Sequence, residues 1–171
     1  MNIFYLDHNP TVCAQLHVDK HVVKMVTETA QLLSTAHRVC DGKIKDKKYI
    51  LSDERELSLY KTTHINHPCA IWIRSSIGNY NWLFNLFVAL LDEYTYRYSK
   101  QHACARLVPH LMHAPEGIPQ HEFQEPPQCM PDYCKRPSHT EGYRAYYNAE
   151  KSHMFSWKGR SIPQWVAIPQ T

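Results

Sequence analysis

The segment 16–33, LHVDKHVVKMVTETAQLL, begins a row of polar side chains spaced as on one helix face. Residues three and four positions apart stack along one side of an α-helix. The row holds His17, His21, Lys24, Glu28, Gln31 and Thr35. Solvated helix faces favour Glu, Lys and Arg over His and Thr. The composition therefore predicts a concave polar site or a buried polar network, and a solvated face with a Lys24–Glu28 ion pair is the alternative.

A second group of polar residues lies in the segment THINHPCAIWIR. His64, Asn66 and His67 precede Pro68, a residue that suits the first turn of a helix. Free N–H groups and the dipole at a helix N-terminus attract anions such as phosphate. Arg74, about two turns later, would add positive charge. The segment indicates a phosphate contact, and ordinary N-capping is the alternative.

Aromatic residues and cations alternate near the C-terminus. The segment HMFSWKGR places Trp157 beside Lys158 and Arg160. From residue 135 onward six cations face two anions: Lys135, Arg136, Arg144, Lys151, Lys158 and Arg160 against Glu141 and Glu150. Aromatic rings can stack on bases while cations contact phosphates. This end of the chain indicates a nucleic-acid surface, with a small packed tail as the alternative.

Twelve His and six Cys raise the question of a metal site. A structural zinc site usually shows two close ligand pairs in the sequence, whereas here Cys129 and Cys134 form the one close Cys pair. His17 and His21 enclose VDK instead of the Glu of an HExxH motif, and Lys20 repels a cation. We therefore expect no bound metal. A metal-dependent hydrolase that uses these His residues and the His- and Cys-rich later segment is a less favoured alternative.

Helices are the elements that would position these side chains. Apolar residues recur at helical spacing over about 10–40, with an interruption near His17, over 68–101, and again over 143–154. The opening NIFYL predicts a strand or an extended arm on the core. KIKDKKYILSDERE predicts an exposed loop that leads into a short helix.

The frequent Pro residues after Pro109 make long helices improbable in the segment 105–140. The fold predicted for 1–171 is one compact all-α domain of about three main helices, in which 105–140 is a Pro- and His-rich insertion or wrap. No apolar run approaches the length of a membrane span, and no signal peptide is evident, so we expect a cytoplasmic monomer with reduced cysteines.

Four segments in this order resemble the pyrimidine-dimer DNA glycosylases of the endonuclease V type from phage and bacteria. They are MNIFYLD, the AQLL of the first helix, YKTTHINHPCAIWIR with the helix that ends EYTYRY, and YRAYYNAEKSHMFSWKGR. The resemblance covers most of the chain, apart from a large insertion around 105–140. It implies an all-α domain without cofactor or metal, double-stranded DNA as the partner, and a bacterial or phage-infected cell.

The resemblance also implies a mechanism. In that family the N-terminal α-amine attacks the sugar carbon of a damaged nucleotide and forms a Schiff base, after which the enzyme nicks the abasic strand. An α-amine has an ordinary pKa near 8, so an appreciable fraction is free base at neutral pH. Because Asn2 is too large for removal of the initiator residue to be expected, the amine would be that of Met1.

A Glu on the first long helix assists this reaction in the family. We prefer Glu28 for that role because it shares a helix face with His21 and Lys24, and Asp19 is the second choice. A carboxylate there would stabilise positive charge on the sugar and move protons during elimination.

The sequence thus predicts a DNA glycosylase, with or without lyase activity, for a damaged or modified pyrimidine flipped out of the duplex. The expected catalytic set is Met1, Glu28, His21, Asp19 and Lys24. The expected DNA-binding set is His17, Lys20, His64, Asn66, His67, Arg74, Trp157, Lys158 and Arg160. The alternative is a non-catalytic DNA-binding or DNA-modification accessory protein of the same fold.

Overall fold

The computed structural model describes residues 2–167 and shows a mainly helical protein. The elements in chain order are α1 (Pro10–Leu16), α2 (Asp19–Asp41), β1 (Lys43–Lys45), β2 (Lys48–Ile50), α3 (Arg55–Ser58), α4 (Pro68–Arg74), α5 (Ile77–Tyr98), α6 (Val108–Leu111) and α7 (His139–Glu150). Short 3-10 helices cover Ala103–Leu107, Asp132–Cys134 and Ser152–Met154. The fold class is confirmed as mainly helical, but the described part of the chain has seven α-helices where about three were predicted.

The helix predicted over 10–40 is interrupted near His17, as expected, and forms α1 and α2. His17 and Val18 both have extended backbones, with ψ of 136° and 156°. The carbonyls freed by the break are bonded from elsewhere in the chain. Arg97 donates to the oxygens of Gln15 and His17 at 3.0 and 2.8 Å, and the indole of Trp157 donates to Leu16 at 2.8 Å. Partners distant in the sequence therefore stabilise the break.

The single helix predicted over 68–101 is likewise two helices, because Ser76 has an extended backbone with φ −159° and ψ 135°. Its hydroxyl oxygen accepts the N–H of Asn79 at 3.3 Å and so caps α5. The Asn79 amide donates to the carbonyl of Trp72 at 2.9 Å, which joins the end of α4 to the first turn of α5. Local capping outweighs the continuous apolar spacing at this position.

The segment KIKDKKYILSDERE was predicted as a loop, and this prediction was wrong for residues 43–50. These residues form an antiparallel hairpin in which Lys45 pairs with Lys48. Asp46 and Lys47 form its two-residue turn with φ of 50° and 64°. Left-handed residues suit such turns because their twist matches that of the strands. The turn was missed because it contains no Gly. The predicted short helix is present as α3.

Residues 112–138, the linking segment, cross the junction of α4 and α5. Gly78 donates its N–H to the carbonyl of His121 at 3.1 Å, and the indole of Trp72 donates to Gln124 at 2.8 Å. A Cβ on Gly78 would lie 2.3 Å from the backbone nitrogen of Phe123. Glycine is therefore required for this close crossing.

The hydrophobic core lies where α2 packs against α4 and α5, and where α5 also packs against α1. The opening NIFYL is an extended arm on this core: Ile3, Phe4, Tyr5 and Leu6 are all buried. One cluster of apolar side chains extends from Ile3 to Trp157. None of the helices among residues 2–167 has the length and apolar character needed to cross a membrane.

Candidate active site

The polar row on α2 changes character along the helix. His21 is only 3% exposed and His17, just before the helix, is fully buried. The side chain of Lys24 is 64% exposed and that of Glu28 is 21% exposed. Each of the two interpretations therefore describes one part of the row. The His residues belong to a buried polar network, and Lys24 and Glu28 form an ion pair at the surface.

His21 is held between two aromatic side chains. Its ring stacks on Phe4, with ring centroids 4.2 Å apart, and its Nδ1 lies 2.7 Å from the hydroxyl of Tyr147. Burial lowers the pKa of His21 to about 3, and the nearby charges of Lys151 and Lys24 act in the same direction. The imidazole is therefore neutral at physiological pH and cannot supply a positive charge to a site.

His17 was expected to contact DNA, but its imidazole lies in the interior of the protein. Its side chain is fully buried, and its Nδ1 lies 2.7 Å from the carbonyl oxygen of Cys13. Its Nε2 is one of the few buried polar atoms among residues 2–167 that lack a hydrogen-bond partner. Burial lowers the pKa of His17 to about 4. The residue is thus a neutral part of the interior beneath His21.

Asp19 lies at the start of α2 and fastens the C-terminal segment to it. Its carboxylate accepts hydrogen bonds from the Ser156 hydroxyl at 2.6 Å, the Lys158 N–H at 2.8 Å and the Arg97 guanidinium at 2.9 Å. Partial burial acts to raise the pKa of Asp19, but these donors outweigh it and hold the pKa below its ordinary value. A carboxylate so fully bonded has little capacity left for a substrate.

Glu28 differs from Asp19 in having a less occupied carboxylate. The Lys24 ammonium lies 3.9 Å from Oε1, and no hydrogen bond to this carboxylate is formed by residues 2–167. An exposed pair at that distance contributes only about 0.3–0.5 kcal/mol to stability. The carboxylate is half-buried, paired only with an exposed cation and open to further hydrogen bonds.

Two landmarks show what lies on either side of Glu28. Phe4 of the N-terminal arm covers α2 at His21, while the backbone N–H of Thr63 donates to the Thr35 hydroxyl at 3.2 Å. Glu28 is seven residues from each of these helix positions. It therefore lies about 10 Å along the helix from either landmark. The arm and the THINHP loop border the middle of α2 from opposite ends.

Met1 lies outside the described residues, but the contacts of its neighbour Asn2 show where the start of the described chain lies. The Asn2 amide donates to the carbonyl of Cys129 at 2.8 Å, and its Oδ1 lies 4.0 Å from the sulfur of Cys69. Cys69 is in the first turn of α4, directly after the THINHP loop. The start of the chain and this loop, which are separate in sequence, thus meet in the fold.

At the end of the THINHP loop His67 is the N-cap of α4, as the alternative interpretation proposed. Its Nδ1 accepts the N–H of Cys69 at 3.0 Å. Because α4 has only seven residues, its dipole is weak support for a phosphate site. Arg74 donates to a carbonyl of the same loop at 2.7 Å and so holds its shape. His64 and Asn66 are exposed and remain available to a ligand.

Lysines border the N-terminal half of α2. Lys24 and Lys151 both lie close enough to His21 to lower its pKa. Lys20 is exposed on the same helix, and Lys158 is exposed and tied to the start of α2 through its backbone. The lysine rim therefore consists of Lys20, Lys24, Lys151 and Lys158. Such a border favours a polyanion.

Two other residues expected to bind DNA have structural roles instead. Trp157 is buried, with its indole donating to Leu16. Arg160 is bonded to Glu93 by two nitrogens, at 3.1 and 2.9 Å, and lies 3.9 Å over the ring of Tyr96. The packed-tail alternative therefore describes the contacts that these two side chains make within the protein.

Sequence reasoning missed the aromatic partners of His21. Phe4 and Tyr147 are recognisable as apolar positions of their segments, but Tyr147 lies 126 residues from His21 in the chain. No local spacing could have indicated this pair. Lys151 was counted only as part of a basic end, although the fold brings it close enough to His21 to lower the pKa of that residue.

A family model described as pyrimidine dimer DNA glycosylase matches residues 1–106 of this chain. The match covers more than half of the 171 residues. The chain belongs to the pyrimidine dimer DNA glycosylase family. DNA is accordingly the partner expected from membership of this glycosylase family. The matched part holds the N-terminal arm, α2 and the THINHP loop, whereas α7 and the linking segment lie beyond it. No curated protein and no solved structure matches the chain.

Proposed function

We propose that this member of the pyrimidine dimer DNA glycosylase family removes a damaged pyrimidine from double-stranded DNA. In this proposal the α-amine of Met1 is the nucleophile and the carboxylate of Glu28 assists the reaction. The observation that carries the proposal is the state of the Glu28 carboxylate. It is half-buried and unbonded apart from Lys24 among residues 2–167, and it lies between the N-terminal arm and the THINHP loop.

The proposed chemistry begins with attack of the free amine on C1′ of the damaged nucleotide. A C–N bond to the protein forms while the glycosidic C–N bond breaks, and the base leaves with its electron pair and takes up a proton. Positive charge develops on the sugar, and the Glu28 carboxylate would stabilise it. Loss of a proton from the nitrogen, followed by breakage of the C1′–O4′ bond with protonation of O4′, then gives the Schiff base.

A lyase step is a further part of the proposal. The Schiff base makes the sugar C2′ proton acidic, and its removal expels the 3′ phosphate and cuts the strand. Glu28 is our candidate to move this proton, since a free carboxylate can act as a base near neutral pH. Asp19 is less suited because its oxygens already accept three hydrogen bonds.

We propose that DNA lies over the middle of α2 with its phosphates on the lysine rim. His64 and Asn66 would contact the DNA on the side of the THINHP loop. The damaged nucleotide must leave the base stack to reach the amine, which costs a few kcal/mol and least for a distorted lesion. His21 and Lys24 would support this site, His21 by holding the N-terminal arm and Lys24 by orienting Glu28.

Reductive trapping tests the proposal. Borohydride should link the wild-type protein covalently to DNA that contains a pyrimidine dimer or an abasic site. Glu28→Gln should slow turnover about 100-fold or more while changing DNA affinity little. Glu54→Gln, a change at an exposed carboxylate elsewhere, is the matched control.

Two outcomes would remove the proposal. Equal losses of affinity and turnover in Glu28→Gln would assign the carboxylate to binding or folding. Absence of any covalent adduct, together with salt-dependent DNA affinity and no strand cleavage, would favour the non-catalytic DNA-binding alternative.

A further inference from the structure

Three side chains that can bind metal meet beside Asn2. The ligand atoms of His67, Cys69 and Cys129 all lie within 4.8 Å of one another. Within residues 2–167 this is the one such group of three or more His, Cys, Asp or Glu side chains. His67 and Cys69 come from the start of α4, and Cys129 comes from the linking segment, 60 residues beyond Cys69. The fold, and not a sequence motif, assembles the group.

The spacing of the two sulfurs favours a shared metal over a disulfide. The sulfurs of Cys69 and Cys129 are 3.8 Å apart. Two thiolates at about 2.3 Å from a tetrahedral zinc ion are about 3.8 Å apart. A disulfide requires about 2 Å, so the sulfurs would have to approach by nearly half their present separation. The two sulfurs could therefore bind one metal ion with little change in their separation.

The two thiols would lose their protons on binding a metal ion, because such an ion binds thiolates.

His67 completes the group with an unprotonated ring nitrogen. Its Nδ1 accepts the N–H of Cys69 and therefore carries no proton. Binding through this nitrogen would replace one hydrogen bond, which is worth about 1 kcal/mol. A metal bond can readily exceed that cost.

We propose that His67, Cys69 and Cys129 bind one Zn²⁺ ion. Two thiolates and an imidazole form a ligand set that selects zinc over magnesium or calcium. A water molecule would fill the fourth position. The ion fastens the linking segment to the first turn of α4, directly beside Asn2, and so anchors the N-terminal arm. The ion would help to position the N-terminal arm and would not itself react in the proposed glycosylase chemistry.

Zinc binding by the full-length, reduced and chelator-treated protein tests this site. The wild type is expected to bind one Zn²⁺ in a competition titration, and Co²⁺ should give the absorption of a thiolate-bound ion. Binding should also protect two thiols from a thiol reagent. Cys129→Ser, a nearly isosteric change, should weaken zinc binding more than about 100-fold. Cys40→Ser, at a half-buried cysteine outside the group, should bind as the wild type does.

Several results would overturn the site. These are absence of stoichiometric zinc binding by the folded wild type, wild-type affinity in Cys129→Ser, and loss of affinity in Cys40→Ser. A Cys69–Cys129 disulfide together with no zinc binding after reduction would assign the pair to redox chemistry instead. Circular dichroism of each variant separates loss of the site from loss of the fold.

Discussion

The imidazole of His21 stacks on the ring of Phe4 with an interplanar angle of 24°. This contact joins the fourth residue of the chain to the helix that carries Glu28. Tyr147 bonds the same imidazole from α7. The position of the N-terminal arm therefore depends on a stacked pair that α7 also supports, and changes to the pair should affect both stability and activity.

Truncation of Phe4 should destabilise the fold and misplace the N-terminal arm. Phe4→Ala removes a buried ring and should cost about 3–5 kcal/mol in free energy of unfolding, measured by urea denaturation. Phe4→Leu keeps an apolar side chain but loses the stack, and should cost about 1–2 kcal/mol. We expect covalent trapping by Phe4→Leu to fall even where the protein is fully folded. Unchanged stability in Phe4→Ala would contradict the packing role.

Acid should destabilise the protein through its buried imidazoles. The pKa of His21 is lowered to about 3 by burial, whereas an unfolded His titrates near 6.5. Between these values the unfolded chain binds a proton that the folded chain excludes, so the free energy of unfolding falls as the pH falls through this window. Above about pH 6.5 His21 causes no loss of stability. Below that pH, the loss in free energy of unfolding caused by His21 approaches a slope of about 1.4 kcal/mol per pH unit.

Urea denaturation of His21→Gln between pH 7 and pH 4 checks this prediction. The variant should show a shallower dependence of stability on pH than the wild type. His153→Gln, a change at an exposed imidazole, should leave the dependence unaltered. Identical slopes in His21→Gln and the wild type would show that His21 is not kept neutral by burial.

Replacement of Glu28 and of Asp19 by the corresponding amides should have different effects on stability and on turnover. Asp19→Asn weakens the bonds to Arg97 and Ser156 and should lower stability by about 1–3 kcal/mol, with turnover per folded molecule largely retained. Glu28→Gln should show the opposite pattern, because its carboxylate makes only the long contact with Lys24. Single-turnover cleavage combined with denaturation measures both quantities. A large loss of turnover in Asp19→Asn alone would transfer the acid role to Asp19.

The salt dependence of DNA affinity should distinguish cations that contact DNA from cations that are already paired within the protein. Lys20→Gln and Lys151→Gln should each reduce the slope of log affinity against log salt by about 0.9. Arg160→Gln should leave the slope unchanged, since the guanidinium is already bonded to Glu93. Fluorescence anisotropy with duplex DNA at several salt concentrations gives these slopes. A reduced slope in Arg160→Gln would show that Arg160 contacts DNA phosphates.

The sequence predicted the parts of the site that depend on local spacing. The polar row of α2, its helical character and the break near His17 all follow from periodicity. The partners that define each residue's role do not. Arg97 holds the carbonyls at the α1–α2 break from 80 residues away, and no pattern near either position encodes that contact. Long-range hydrogen bonds occupy Asp19 and Arg160, and burial encloses His17, which explains why the sequence suggested functional roles that their surroundings do not favour.

The zinc group illustrates the same limit. Zinc motifs are recognised when ligands are close in sequence. Cys129 was paired with Cys134 on that basis, and a metal was not expected. In the fold Cys129 lies instead against Cys69, because the linking segment returns to the start of α4. Only the path of the chain brings these ligands together.

The proposed activity depends most directly on which amine carries the covalent intermediate. Proteolysis and mass spectrometry of the borohydride-trapped complex with abasic DNA would locate the adduct. We predict that it lies on the N-terminal peptide, at the α-amine of Met1, and that chemical blocking of this amine abolishes trapping. An adduct on the ε-amine of Lys24, or on another lysine of the rim, would contradict the account.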